Sequence, residues 1–231
     1  MGDLAEHRAV QAVAKSVLSA LGPTISPEDT EQTIAARATT MLSDRGISDT
    51  WYYNCPAFVL LGSRSCLSIS GREYKPSEET VGSTNLITVD LSPLLNGIWG
   101  DCARSFFVED GAWTSTPSLQ AFSQGAHAEI ALHEAMQKFV TPRTSFEELF
   151  QFANVEIARL GFENLDFLGN VGHSIECTRE ARRYIEQGNL QLLGDAGLFT
   201  FEPHIRKRGE RWGFKHENIY HFTEGGHAVE L

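Results

Sequence analysis

The chain has 231 residues, of which 42% are hydrophobic and 21% charged, so it is long enough to bury a core and too apolar to be disordered. Its formal net charge of −11 argues against nucleic acid or an anionic membrane surface as the main partner. No apolar stretch approaches the roughly 20 residues of a membrane span, and nothing near the N-terminus is typical of an export signal. Four widely spaced cysteines are typical of reduced thiols, so we expect a cytoplasmic protein.

The first half of the chain is predicted to begin with two helices and to continue with strands. An amphipathic helix is predicted over residues 3–20, and it ends near Gly22-Pro23. A second helix is predicted to begin at Ser26, because Ser26 can cap it and Pro27 suits the first helical position, and to run to about Asp44. Strand-like segments follow at residues 57–61, 65–70, 85–92 and 98–108.

The second half repeats this order of elements. Helices are predicted over residues 117–140 and 145–160, and strands over residues 165–171, 198–205, 214–222 and 228–231. Helices followed by antiparallel-looking strands, twice over, predict an α+β fold with two similar halves and one curved sheet backed by helices.

A predicted hairpin carries two carboxylates. Asn96-Gly97 lies between two β-prone runs, and both residues tolerate the positive φ of a type I′ turn. If the turn holds only these two residues, Asp90 faces Ala103, and side-chain alternation puts Asp90 and Asp101 on one face, about 7–8 Å apart at the backbone. A one-residue bulge would break this arrangement. Carboxylates this close need a raised pKa or a cation, unless one Asp faces solvent and the other serves the turn.

Three further residues complete a candidate metal site. His173 follows a small, flexible segment, although a lone histidine is more often a packed or surface residue. Glu202 lies in an apolar strand, where the alternative to metal is an ion pair with one of residues 206–208. Glu217 lies in a less apolar strand, where a solvated position is the alternative. Two Asp, one His and two Glu together predict mixed ligation of two divalent ions such as manganese, iron, cobalt or zinc.

The order of these motifs resembles the methionine aminopeptidase / aminopeptidase P / creatinase group. The resemblance rests on Asp90, Asp101 in Gly-Asp-x-x-Arg-Ser-Phe eleven residues later, Gly172-His173, Phe-Glu202-Pro and Glu217, and it covers nearly the whole chain. It implies the pita-bread fold, in which two pseudo-symmetric α+β halves surround a dinuclear metal centre. It also implies a single catalytic domain over residues 1–231, without the separate N-terminal domain of the longer members.

The resemblance implies a role for each ligand. Asp90 would chelate one metal ion, Asp101 and Glu217 would bridge both ions, and His173 and Glu202 would complete the set. Two cations would lower the pKa of a water so that hydroxide attacks an amide carbonyl near neutral pH. Glu202 would handle the proton and carry it to the leaving nitrogen.

The chain departs from the peptidases of this group at two histidine positions. Residues 72–74, Arg-Glu-Tyr, stand where a histidine precedes the first Asp, and Glu180 stands seven residues after the metal-binding histidine. The usual oxyanion and proton contacts of peptide cleavage would therefore be missing. We predict two catalytic substitutes: His204, which shares a strand face with Glu202, and Tyr74, whose hydroxyl could donate a hydrogen bond.

Three functions remain open from the sequence. The leading hypothesis is a dinuclear metal-dependent hydrolase, resembling aminopeptidases, that cleaves a peptide or small amide bond. The second is a non-peptidase metalloenzyme acting on a small metabolite, including oxidative chemistry. The third, a non-catalytic binding protein of the same fold, is disfavoured because all five ligand positions are intact. The predicted partners are a peptide or small-molecule substrate and a possible second copy in a homodimer, with no nucleic acid and no membrane.

Overall fold

The computed structural model describes residues 3–231 as helices and short antiparallel strands in two successive sets. The α-helices are α1 (Leu4–Leu21), α2 (Glu31–Asp44), α3 (Gln120–Phe139) and α4 (Phe146–Arg159). The strands of the first half are β1 (Asp49–Thr50), β2 (Ala57–Leu61), β3 (Asn85–Leu91), β4 (Pro93–Leu95), β5 (Ile98–Trp99), β6 (Cys102–Glu109) and β7 (Ala112–Thr114). Those of the second half are β8 (Phe162–Asn164), β9 (Leu198–Phe201), β10 (His204–Lys207), β11 (Gly213–Lys215), β12 (Asn218–Phe222) and β13 (Ala228–Glu230).

The strands pair into small antiparallel sheets that meet at one point. The first half contains the orders β2-β3-β6-β7 and β1-β4-β5, and the second half contains β8-β10-β11 and β9-β12-β13. A bridge between Ala103 in β6 and Glu217, just before β12, connects the two halves. The predicted α+β architecture of two similar halves is therefore confirmed, and the seam between the halves lies beside a predicted metal ligand.

Each half has its own apolar core under its helices. In the first half, Val17 of α1 and Ile34 of α2 are fully buried against Val89 of the sheet. In the second half, α3 and α4 cover Phe199 in β9 and Tyr220 in β12 in the same way. Such burial, at about 25 cal/mol per Å² of apolar surface, is the main stabilisation of both layers. Among residues 3–231, no helix combines the length and apolarity that a membrane crossing requires.

The predicted carboxylate hairpin is confirmed in turn and register. Asn96 and Gly97 have φ values of 53° and 81°, as a type I′ turn requires. Leu95 pairs with Ile98, and Asp90 pairs with Ala103 further along the same hairpin. The hairpin has no bulge between these pairs. The alternation of side chains along the strands is therefore the one that puts Asp90 and Asp101 on the same face.

The second helix begins later than predicted. Residues 26–29 form a turn in which the Asp29 carboxylate accepts a hydrogen bond from the Ser26 amide and pairs with Arg37. Thr30 is the residue that caps α2, by accepting from the Thr33 amide. Ser26 does not cap a helix, because the carboxylate of Asp29 closes a turn there instead.

Several predicted strands are also wrong or interrupted. Residues 62–66 form a 3-10 helix, held by a hydrogen bond from the Ser65 hydroxyl to the Gly62 carbonyl, where the strand over residues 65–70 was expected to begin. The segment predicted as a strand over residues 165–171 is a turn, because Asp166 accepts from two following amides. The strand predicted over residues 198–205 breaks after Phe201, since Pro203 has no amide to donate.

Candidate metal centre

The pairing of strands at Ala103 positions three of the predicted ligands, Asp90, Asp101 and Glu217. Asp90 and Ala103 are opposite each other in β3 and β6, and Ala103 in turn bridges to Glu217. Residues opposite each other in a sheet share a face, so the two carboxylates flank the small side chain of Ala103. Asp101 lies two residues before Ala103 and projects to the same side. The alanine leaves room between the acidic groups.

His173 is positioned by an extended segment that pairs with β9. The His173 amide donates to the Thr200 hydroxyl at 3.0 Å, and the Thr200 amide donates to the His173 carbonyl at 2.7 Å. Gly172 makes this close approach possible, since a Cβ there would lie 2.3 Å from the Thr200 carbonyl oxygen, and its φ is +148°. Glu202 follows Thr200 by two residues, and its Oε1 lies 3.4 Å from the Thr200 hydroxyl.

The histidine presents its Nε2 atom to the carboxylates. Its Nδ1 lies 2.9 Å from the Ser174 carbonyl, which fixes the ring with the proton on Nδ1. The Nε2 atom lies 3.4 Å from Asp101 Oδ2 and 3.7 Å from Glu202 Oε1. Ligand atoms of Asp101, His173 and Glu217 all lie within 4.8 Å of one another. A backbone acceptor behind a histidine in this way is the usual support of a metal-binding imidazole.

The buried oxygens of the cluster fit a bound cation. Asp101 and Glu217 are 3% and 1% exposed, and Asp101 Oδ2 and both carboxylate oxygens of Glu217 have no hydrogen-bond partner among the described residues. Burying a carboxylate without a partner is costly, and a divalent ion is an adequate partner for such a set of oxygens and imidazole. The donor types therefore fit the metal predicted from the sequence, and the solvated alternative for Glu217 is wrong.

The ammonium group of Lys215 lies on the other side of the cluster, although no sequence motif predicts it there. Lys215 Nζ lies 2.6 Å from Asp90 Oδ2, 3.1 Å from Glu202 Oε2 and 3.7 Å from Glu217 Oε2. Lys215 ends β11 two residues before Glu217, so side-chain alternation was the available signal for it. The ion pair of Glu202 is formed with this lysine, and no residue in the stretch 206–208 takes that place.

Burial and charge move the pKa values of the cluster in opposite directions. Burial raises the pKa of Asp101 to about 6, although the neighbouring His173 acts to lower it. Burial, with the charges of Asp101 and Glu202, raises the pKa of Glu217 well above its ordinary value. For Glu202, burial is outweighed by Lys215 and His173, so its pKa is lowered. Burial opposes the charge on Lys215, but the surrounding carboxylates raise its pKa well above the ordinary value. Glu202 is thus the acidic group best kept ionised.

The two predicted catalytic substitutes differ in position. The Tyr74 hydroxyl donates to the Val59 carbonyl at 2.9 Å and accepts from the Val59 amide at 3.2 Å, outside the lining of the pocket over the cluster. Tyr74 therefore supports the edge of β2, and the structure does not bring it to the site. His204 does line the pocket, with Nε2 2.6 Å from the Ser65 carbonyl. Burial lowers the pKa of His204 to about 4, so the ring is neutral. Its catalytic role stays a prediction.

The residues at the positions where the resemblance implies histidines do not line the pocket over the cluster. Arg72 and Glu73 are exposed, and the Arg72 guanidinium lies 4.5 Å from the ring centre of Tyr53. Glu180 is also exposed and pairs with Arg179. Within residues 3–231, His173 and His204 are the histidines that line the pocket. The loss of the two imidazoles is therefore not compensated by another histidine approaching the cluster from these segments.

The cluster lies at the floor of a pocket of about 440 Å³. Its walls combine aromatic side chains with one arginine: Trp51, Tyr52, Phe58, Tyr184 and Arg182. The Arg182 guanidinium lies 5.0 Å from the ring centre of Trp51 and 5.2 Å from that of Tyr184. Its Nε donates to the Arg179 carbonyl, and no carboxylate of residues 3–231 pairs with it. The pocket has the size of a small-molecule site and one positive charge in its wall.

A buried glutamate supports the strand that carries Lys215. The Ser105 hydroxyl lies 3.1 Å from Glu129 Oε1 on α3, and the Lys215 amide donates to the same hydroxyl at 2.9 Å. Burial raises the pKa of Glu129 to about 8, against Ser105 and Arg104, which lower it. Glu129 is therefore protonated at neutral pH in the folded chain.

We expect Glu129 to make stability fall as the pH rises. Its folded pKa of about 8 lies above the ordinary value of 4.5, so the folded chain keeps a proton that the unfolded chain loses. This stabilisation is complete below the unfolded value and is lost as the pH rises through 8, by up to about 1.4 kcal/mol per pH unit. Urea unfolding between pH 5 and 9 should show a shallower decline for Glu129→Gln. The control Glu134→Gln, exposed on the same helix, should follow the wild type; a Glu129→Gln profile parallel to the wild type would contradict the prediction.

The fold and the cluster together define a class of protein in which two α+β halves meet at a buried centre of carboxylates and an imidazole. The chain belongs to metallopeptidase family M24, whose sequence profile matches residues 5–224. The resemblance noted from the motifs and the pita-bread fold that it implies are both confirmed by this match and by the solved structures below. Comparison with curated protein sequences finds no match.

Solved structures with this fold include exopeptidases from several organisms. An X-Pro aminopeptidase from Thermotoga maritima is 19% identical, with a TM-score of 0.78 over 97% of this chain and 58% of its own. The dipeptidase PepE from Mycobacterium ulcerans is 22% identical, with a TM-score of 0.78 over 99% of this chain and 58% of its own. A methionine aminopeptidase from Rickettsia prowazekii is 13% identical, with a TM-score of 0.73 over 97% and 94%. At these identities the likeness establishes the fold.

The chain spans 58% of the length of the first two of these proteins. Whether residues 1–231 form a single catalytic domain without a further N-terminal domain stays a prediction.

Proposed function

We propose that the chain is a metal-dependent hydrolase that cleaves the amide bond of a short peptide or of a small amide. The observation that carries the proposal is the cluster at the floor of the pocket, where buried oxygens of Asp101 and Glu217 face His173 Nε2 without hydrogen-bond partners among the described residues. Membership of a metallopeptidase family supports the same reaction class.

The residues that would hold a divalent ion are Asp101, His173 and Glu217, with Glu202 beside them. The sequence also predicts a second ion at Asp90, and the number of ions stays a prediction. Manganese, iron, cobalt and zinc all suit mixed carboxylate and imidazole ligation. When bound, a divalent ion supplies Lewis-acid polarisation of a carbonyl and of a water at neutral pH.

Glu202 is the residue we assign to proton transfer. It lines the pocket, and its lowered pKa keeps it ionised and able to accept a proton from the attacking water. It would then return this proton to the leaving nitrogen, as a general base followed by a general acid. Lys215 Nζ, 3.1 Å from Glu202 Oε2, holds the carboxylate in this position.

Arg182 suggests the class of substrate. A guanidinium without an acidic partner in the described chain, in the wall of a pocket of this size, suits the carboxylate of a short peptide. The aromatic walls would contact the side chains of such a substrate. We therefore propose short peptides with a free C-terminal carboxylate as the preferred substrates.

The test is the release of amino acids from a panel of short peptides by chain loaded with Mn²⁺, Co²⁺ or Zn²⁺. We expect turnover that stops after chelation and returns on adding metal, and faster cleavage of free peptides than of the same peptides with amidated C-termini. Equal rates for both forms would reject the role of Arg182. Metal binding without turnover of any peptide or amide would reject the hydrolase.

A second candidate is a non-peptidase metalloenzyme acting on a small metabolite. It is favoured by one observation: Glu180 and residues 72–73, at the positions where the peptidases of this group have histidines, are exposed side chains. The same panel distinguishes the two candidates, since this enzyme would bind metal and leave every peptide intact. The cytoplasmic location and the possible homodimer of this chain remain proposals from the sequence.

A further inference from the structure

The five predicted ligands divide into two groups, and one of these groups surrounds the ammonium of Lys215. Asp101 and His173, with Glu217, form the group whose ligand atoms lie within 4.8 Å of one another. On the other side, Lys215 Nζ lies 2.6 Å from Asp90 Oδ2 and 3.1 Å from Glu202 Oε2, while Glu202 Oε1 stays 3.7 Å from His173 Nε2. Glu217 belongs to both groups, because its Oε2 lies 3.7 Å from the same ammonium.

We infer that the ammonium group of Lys215 takes the place of the second metal ion, so that the chain binds one divalent ion. This inference rests on the proposed function, because it assumes that the Asp101 and His173 side of the cluster holds metal. The centre would then combine one divalent ion with one fixed organic cation, both contacting Glu217.

Charge favours this division. Asp90, Asp101, Glu202 and Glu217 carry four negative charges when ionised, and one divalent ion with one ammonium offsets three of them. Lys215 Nζ already donates a hydrogen bond to Asp90 Oδ2. A second divalent ion bound to Asp90 would therefore lie next to the ammonium. Repulsion between two such cations in a site with little water is strong. The second ion would therefore bind only if Lys215 left.

The backbone at Lys215 holds the ammonium in the cluster. The Lys215 amide donates to the Ser105 hydroxyl at 2.9 Å, and its carbonyl lies 3.3 Å from the same hydroxyl. Lys215 also pairs with His204 across β10 and β11, and the preceding Phe214 is 1% exposed in the core. The lysine side chain is itself only 19% exposed, with Asp90 at 23%. Removing the ammonium from the cluster would break its ion pairs with Asp90, Glu202 and Glu217 in a largely buried site.

The experiment counts metal ions in the purified chain. Wild type, Lys215→Met and Lys215→Arg are saturated with Mn²⁺, dialysed, and measured by elemental analysis and by electron paramagnetic resonance. We expect one manganese per wild-type chain with the spectrum of an isolated ion. Lys215→Met, similar in size but neutral, should bind two with an exchange-coupled spectrum, while Lys215→Arg should bind one. The control Lys207→Met removes a lysine of β10 that contacts Gln124 instead, and it should bind one.

Each other result has a defined meaning. Two ions per wild-type chain would overturn the inference and leave the proposed hydrolase intact, and so would one ion in a folded Lys215→Met. If Lys215→Met does not fold, the wild-type and Lys215→Arg counts decide the question by themselves. No ion in the wild type would overturn both the inference and the metal dependence of the proposed function.

Discussion

Replacing Asp101 by alanine is expected to abolish metal loading while the chain stays folded. Asp101 Oδ2 lies 3.4 Å from His173 Nε2, and it belongs to the group of atoms that can hold one ion. Loss of a supporting residue behind a ligand weakens metal affinity by about 10- to 100-fold, so loss of a direct ligand should cost at least about 100-fold. Turnover of any metal-dependent substrate should be lost with the metal. Titration with Mn²⁺, followed by dialysis and elemental analysis, measures the change.

The folded state of Asp101→Ala is protected by contacts that do not involve the side chain. The Asp101 amide donates to Gln11 Oε1 at 2.9 Å, and the Asp101 carbonyl accepts from Gln11 Nε2 at 2.7 Å. The carboxylate itself is buried with an unpartnered oxygen, so alanine removes a desolvated charge. The metal-free variant should unfold at no lower urea concentration than the metal-free wild type. Asp44→Ala, an exposed carboxylate at the end of α2, is the control for loading; normal loading in Asp101→Ala would discard the assignment.

Glu202→Gln is expected to keep metal and to lose turnover. The amide retains one oxygen, which can still face the ion, but it gives up the oxygen that lies 3.1 Å from Lys215 Nζ and it cannot accept a proton. Loss of a general acid–base residue lowers kcat by about 100- to 10,000-fold. The measurement is kcat on the best peptide of the panel, together with metal content at equal saturation.

The matched control is Glu186→Gln, because Glu186 lines the same pocket without contacting the cluster. Its kcat should remain near that of the wild type. A Glu202→Gln variant that turns over normally would remove Glu202 from the mechanism. One that loses its metal would instead make Glu202 an indispensable ligand, and the proton would then need another carrier.

The carboxylate hairpin shows how far local rules reach. Turn chemistry at Asn96-Gly97 and the two-residue period of a strand were enough to predict the pairing of Asp90 with Ala103 and the shared face of Asp90 and Asp101. Both rules act between residues that are close in sequence. The segments around His173, Glu202 and Glu217 were found by their residue types and order, and the structure brings all three to the hairpin.

Two differences from the sequence predictions trace to specific hydrogen bonds. Tyr74 was expected at the site, but its hydroxyl is held by the backbone of Val59. The second helix was expected to begin at Ser26, but Arg37 fixes Asp29 in a turn. The contact of Tyr74 joins separate elements of the fold, whereas that of Asp29 is a local turn whose side-chain chemistry competes with helix capping.

The amino-acid sequence alone determined the α+β class, the family resemblance and the five side chains of the cluster, because periodicity, turn residues and motif order can all be read along the chain. Only the tertiary structure decided which carboxylates face an ammonium and which are left for a metal. Lys215 reaches Asp90 across 125 residues of chain, and its charge acts on Glu202 and Glu217 at the same time. Electrostatic balance in a buried site depends on distances in space, and no spacing in the sequence reports them.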